Sequence, residues 1–177
     1  MRYSFVGKTS GFTLIEVVIG IVVLAISMSV ILSVIVPTEQ QSADQIQQVK
    51  AAELAQSLLE EILARDFDEH SDHAGNHWRC NETGRPSCTV QAKFSPDSGE
   101  TNRSLYNDVD DYNGYTSLNN ATGNSLDSSY GSFSLSVTVV YDGAALGLAN
   151  NLAKRITVTV TTPLNTDIVF TGYKANF

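Results

Sequence analysis

The sequence predicts an α+β fold: one long N-terminal helix, apolar in its first half, packed through its second half on a small antiparallel β-sheet. Three observations predict it. Phe12 to Val36 is an apolar run whose one charged side chain is Glu16. Ala51, Leu54, Ala55, Leu58, Leu59 and Ile62 then recur at helical spacing. Beyond Ser132 the period changes to two, as in a half-buried strand.

The apolar run comes first. Its 25 residues make roughly 37 Å of helix, enough to cross a hydrocarbon layer. Pro37 is expected to interrupt it, because proline removes one backbone hydrogen bond. Gly20, Ser27, Ser29 and Ser33 soften the interior. Arg2 and Lys8 precede the run, and Glu39 and Asp44 are the first charges after it. The positive-inside bias therefore puts the N-terminus in the cytoplasm and the rest outside. A lone carboxylate in such a helix costs about 2.5–3.5 kcal/mol. A plain anchor gains nothing from Glu16, so the residue asks for a partner. An ordinary signal peptide cut near Ala25-Ile26-Ser27 would leave apolar residues beyond the cut and an acid inside the apolar region.

The stretch Gly11-Phe12-Thr13-Leu14-Ile15-Glu16, behind the basic leader Met1 to Gly11, resembles a type IV prepilin signal. That resemblance implies cleavage between Gly11 and Phe12 by a prepilin peptidase, and N-methylation of Phe12 by the same enzyme. It gives Glu16 a partner, the cationic amine of Phe12 on a neighbouring subunit, and apolar surroundings strengthen such a pair. The implied organisation is a leader at 1–11, a transmembrane and assembly helix at 12–37, a soluble continuation at 38–66 and a head at 67–177. The implied partners are the membrane, other pilin subunits, the peptidase/methylase and an inner-membrane assembly platform. The implied location is the bacterial inner membrane, single-pass with a periplasmic head, and then the pilus at the cell surface.

Thr38 to about Asp66 holds no Gly or Pro and is rich in Ala, Leu, Gln and Glu, so the helix is expected to continue. Its apolar stripe is expected to cover the sheet. Lys50–Glu53 and Glu61–Arg65 are expected as ion pairs on the exposed side. Phe67 to Tyr130 is dense in Asp, Asn, Ser and Gly, and reads as long loops with a short strand at Thr89 to Phe94. Phe133, Leu135, Val137, Val139 and Tyr141 alternate with mostly polar residues, as do Ile156, Val158 and Val160. A third run, Ile168 to Tyr173, follows Pro163.

The chain of 177 residues carries a net charge of −8, and loses Arg2 and Lys8 with the leader. Nucleic acid and anionic lipid both repel such a head, so neither is an expected partner of it. Cys80 and Cys88 lie beyond the membrane run, where disulfides persist, and are expected to pair. His70, His73 and His77 lie near them, but a five-ligand zinc set is the lesser reading, since Ala74-Gly75-Asn76 breaks any aligning helix. Asp108, Asp110, Asp111 and Asn113 read first as an acidic, solvated turn and second as a calcium loop, with a spacing that departs from the EF-hand. The glycosylation triplets at Asn81, Asn102 and Asn120 are expected to be chance. No cofactor is otherwise implied, and no nucleophile motif or phosphate-binding loop suggests an enzyme.

Beyond the signal, Ser42-Ala43-Asp44, the run Lys50 to Leu63, Phe67-Asp68-Glu69, Trp78-Arg79-Cys80 and Asp108 to Gly114 resemble the MshD-type minor pilins of the MSHA (mannose-sensitive haemagglutinin) pilus. The resemblance implies a low-abundance subunit that starts or caps a fibre for surface attachment. A minor pseudopilin of type II secretion and a tethered, non-polymerising binding module are the alternatives.

Overall fold

The computed structural model describes residues 11–74, 77–119, 124–125 and 128–177, without the side chains of 34, 36–43 and 129. Of the expected leader only Gly11 lies within the described residues. The chain forms two compact units, Met1–Asp44 and Gln45–Phe177.

Helix α1 spans Leu14–Ala64. Thr13 starts it: the Glu16 amide donates to Thr13 O at 3.1 Å and to Thr13 Oγ1 at 3.4 Å, the hydrogen bonds of an N-cap. Helical backbone continues through Pro37, so the proline does not end the helix. The helix stops two residues before the expected Asp66, because that residue is drawn into a parallel bridge with Asp108. Its amide donates to Asn107 O at 3.2 Å, and its carbonyl accepts from Val109 N at 3.1 Å.

In the second unit, three strands form an antiparallel meander in the order β1-β2-β3. They are β1 Ser134–Tyr141, β2 Ala153–Thr161 and β3 Asp167–Ala175. Val137 faces Val158 across the first pair, and Val158 faces Phe170 across the second. Leu135, Val137 and Val139 are buried, while Ser134, Ser136 and Thr138 are exposed, the period-two pattern of a one-sided sheet. The stripe Ala51, Ala55, Leu58, Leu59 and Ile62 packs on the buried face. The helix comes close at Gly172, where a β-carbon would lie 3.1 Å from Leu63 Cδ1 and 3.2 Å from Leu59 Cδ1.

The connecting region differs from expectation. Thr89 to Phe94 is not a strand; its regular part is a 3-10 turn at Gln91–Lys93. The segment expected to be loops supplies Phe94, Tyr106, Val109, Tyr112 and Tyr115 to the main core. Tyr106, Tyr112 and Tyr115 pack edge to face, with centroids 5.1, 6.1 and 6.3 Å apart. The same segment covers the free side of β1. Gly114 N donates to Val137 O and Val137 N to Tyr115 O, both at 3.0 Å. Farther along, Val139 N donates to Asn113 Oδ1 and Tyr141 N to Gln91 Oε1, also at 3.0 Å.

Candidate functional site

In the first unit, every residue from Gly11 to Ser33 is exposed. Leu14–Ser33 is long and apolar enough to cross a membrane, with none of its residues buried in the chain itself. Phe12 is 84% exposed and Leu24 is 70% exposed, so apolar side chains face outward on all sides. Such a helix needs a cover, of lipid or of other apolar helices. Two of its serines need none. Ser27 Oγ donates to Val23 O at 2.7 Å and Ser33 Oγ to Val30 O at 2.8 Å, so both hydroxyls are satisfied within the helix.

Glu16 is the exception to this self-sufficiency. It is exposed, and its amide, not its carboxylate, takes part in the cap. Thr13-Leu14-Ile15-Glu16 has the spacing of a capping box, and an acid in the first turn also suits the helix dipole. Sequence reasoning missed this local role, though the spacing carries it.

In the second unit, the acids expected in a solvated turn are buried. Asp108 and Asp111 are each 1% exposed and Asp110 is 3% exposed. Asp108 Oδ1 accepts from the amides of Asp110, at 2.6 Å, and Asp111, at 3.3 Å. Asp111 Oδ2 accepts from the amides of Asn107, at 3.0 Å, and Asp108, at 3.1 Å. Burial and the charges of Asp110 and Asp111 push the Asp108 carboxyl up to about 8. Asn113 is a structural bridge, since its amide donates to Phe94 O at 3.1 Å while its oxygen holds β1.

Lys154, wholly buried on β2, answers part of this charge. It donates to Asp68 Oδ2 at 3.1 Å, and to Asp110 Oδ1 and Phe67 O. Its ammonium lies 4.3 Å from the Phe67 ring centroid and 4.8 Å from that of Phe94. Burial alone would raise Asp68; Lys154 and the amides of His70 and Thr89 outweigh it and hold the carboxyl below its usual range. Burial wins at Asp110, which is pushed up to about 7 against the pull of Lys154.

A second network ties the connecting segment to α1. Arg103 donates to both oxygens of Glu61, with Nε to Oε1 at 3.0 Å, and to Asn119 O. Tyr112 OH donates to Glu61 Oε1 at 2.9 Å. Glu61 does lie 3.7 Å from Arg65, but it is not on an open face: its side chain is 18% exposed.

Cys80 and Cys88 form a disulfide, with Cα atoms 4.8 Å apart. Asn81 is turned into that loop, its oxygen accepting from Cys88 N at 3.1 Å. Asn102 caps a 3-10 turn through Ser104 N. Asn120 lies outside the described residues. The rings of His70 and His73 go to carboxylates instead of sulfur. His70 Nδ1 is 3.3 Å from Asp68, and His73 Nδ1 is 2.7 Å from Asp66. His77 contributes its backbone amide, which donates to Asp72 Oδ2 at 2.9 Å. Among the described residues no histidine shares a ligand cluster with the cysteines. A cleft of about 200 Å³ touches Asp66, Arg79 and Asn176, below the usual range for small-molecule sites.

Two acidic groupings remain, Asp97–Glu100–Asp111 and Glu69–Asp97–Asp108. Burial and the neighbouring Asp111 push Glu100 up to about 7. Burial, then Glu69 and Asp111, raises Asp97.

Residues 7–32 match the family described as the prokaryotic N-terminal methylation motif. No curated protein and no solved structure matches the chain. The match runs from Gly7 across Gly11, Phe12 and Glu16 through most of the exposed apolar segment, and it supports a type IV pilin or pseudopilin-like subunit.

Proposed function

We propose that the chain is a minor pilin, a structural subunit of an MSHA-like type IV pilus used for surface attachment. The observation that carries this is the coincidence of the methylation motif with a helix exposed on every side. Cleavage after Gly11 frees the amine of Phe12, which is then methylated. In the inner membrane the helix is covered by lipid. In the fibre its cover is other copies of the same kind of helix, and Glu16 meets the Phe12 amine of a neighbour. The exchange replaces one apolar contact by another, so net burial changes little and the charge pair chooses the register. The role is structural, not enzymatic. The MSHA assignment rests on the resemblance of residues 42–114 alone.

N-terminal mass spectrometry of the mature chain tests the processing step. The expected product begins with N-methylated Phe12; a chain retaining Met1 would make the protein a tethered module. Deletion of the gene tests the system. Loss of surface pili with normal protein secretion is expected, whereas loss of exoprotein secretion with intact pili would identify a type II pseudopilin.

A further inference from the structure

Lys154 is a nucleophile that assembly leaves unused. Its ammonium, wholly buried on β2, donates to Phe67 O, Asp68 Oδ2 and Asp110 Oδ1, an acceptor for each of its N–H groups. The ring centroids of Phe67, Phe94 and Tyr141 lie 4.3, 4.8 and 5.6 Å from Nζ. An amine and two carboxyl groups therefore meet inside an aromatic shell, their side chains 0, 0 and 5% exposed for Lys154, Asp68 and Asp110.

The two carboxyls are not equivalent. Asp68 Oδ1 accepts from His70 N at 3.0 Å and Thr89 Oγ1 at 3.2 Å, and Oδ2 accepts from Thr89 N at 2.9 Å beside Lys154. Donors on both oxygens favour the ionised form. Asp110 has Lys154 on Oδ1, while its buried Oδ2 has no hydrogen-bond partner. Burial with one oxygen unsatisfied favours the neutral acid. Asp68 is thus equipped to take a proton, and Asp110 to take a nucleophile.

We propose that Lys154 Nζ and Asp110 Cγ condense to an intramolecular amide, with Asp68 as the proton acceptor. The ammonium passes a proton to the Asp68 carboxylate, and rotation about Cε–Nζ turns the freed lone pair toward Asp110. Nζ attacks Cγ of the neutral carboxyl and the C–N bond forms. Asp68 gives its proton to the departing hydroxyl, which leaves as water, and takes another from the nitrogen. A C–N bond replaces a C–O bond, a water is released, and Asp68 ends protonated. No oxidant, reductant or other co-reactant is needed. In water the ionisation of both groups opposes such a condensation. Burial disfavours both charged forms, and well-oriented groups held by a fold reach effective molarities of about 10⁵–10⁸ M. The aromatic shell then keeps water from the finished bond. The amide ties the turn at Asp110–Tyr112 to β2 by a link that neither reductant nor denaturant opens.

The test is the intact mass of the full chain, purified in detergent, reduced and denatured. The expected mass lies one water below the value that its own termini and N-terminal methylation require. Chymotryptic digestion should release a branched peptide joining Asp110 to Lys154. The loss of water should vanish in Lys154→Arg, which keeps the charge, and in Asp110→Ala. Asp68→Ala should slow bond formation by about a hundredfold, read from the unlinked fraction against time after synthesis. The wild-type mass and branched peptide carry the test if a variant fails to fold. A wild-type mass without the loss, a loss that persists in Lys154→Arg, a branch at Asp68 instead of Asp110, or an Asp68→Ala chain linked as fast as the wild type would each overturn the assignment.

Discussion

Lys154 and Asp68 form an ion pair, Nζ to Oδ2 at 3.1 Å, in which neither side chain meets solvent. Removing one partner of such a pair leaves an uncompensated buried charge, typically a loss of about 3–5 kcal/mol. Lys154→Met is predicted to destabilise the protein by that amount in denaturant unfolding. Adding Asp68→Asn and Asp110→Asn should recover part of it. A single-variant loss below about 1 kcal/mol would mean that the pair is not buried as described.

Thr13 and Glu16 separate two roles of the first helical turn. Thr13→Ala removes the side-chain cap and should cost about 1 kcal/mol of local helix stability. Glu16→Gln keeps hydrogen-bonding capacity at that position but removes the charge. Fibre incorporation, measured by immunoblot of sheared pili, should fall severely for Glu16→Gln and little for Thr13→Ala. Membrane insertion and cleavage should be normal in both. Equal incorporation of the two variants would reduce Glu16 to a capping residue.

Gly172 is required by close packing, not by its backbone angle. An added methyl meets the flexible ends of Leu59 and Leu63, which can yield. Gly172→Ala should therefore be mild, and Gly172→Val should cost about 1–3 kcal/mol through overpacking of helix against sheet. A neutral valine variant would contradict the close approach of α1 to β3 at this position.

The Cys80–Cys88 disulfide closes a short loop against Phe67 and Tyr141. The chain-entropy model gives about 2.5 kcal/mol for a loop of this length. Reduction, followed by thiol alkylation, should lower the unfolding free energy by about that much and leave the α+β circular dichroism signature in place. Unfolding midpoints that coincide before and after reduction would refute this.

His73 gives a pH dependence. Burial alone would lower its pKa, but Asp66 and Glu69 outweigh it and hold the ring above its ordinary value. The protonated ring therefore contributes stability fully present below the unfolded value, about 6.5, and lost as pH rises through the folded value. The melting-temperature difference between wild type and His73→Gln should be larger at about pH 5.5 than at about pH 8.5. A difference that grows with pH would reverse the assignment.

Periodicity makes the regular elements legible. The stripe buries Ala51, Ala55, Leu58, Leu59 and Ile62, with Leu54 partly buried beside them, and the alternation buries Phe133, Leu135, Val137 and Val139. The region between them escapes such a reading because composition reports average polarity, not destination. Asp110 lies 44 residues from Lys154, and no local pattern links them. One signal does exist: Lys154 shares the parity of Ile156, Val158 and Val160 on β2, so a period-two reading already places a cation on the buried face. An inward lysine implies acids to receive it. The tyrosines at 106, 112 and 115 carry a similar hint, since aromatic side chains supply much core area. The Arg103–Glu61 clamp has none, being fixed only when the segment folds back on α1.

The cover over β1 has a further consequence. Val137, Val139 and Tyr141 spend their outward amides on Tyr115, Asn113 and Gln91. Among the described residues, no backbone group pairs with β3 on its far side. Among the described residues, β1 is therefore occupied from Val137 to Tyr141, and β3 is the margin whose backbone is left for a further extended segment.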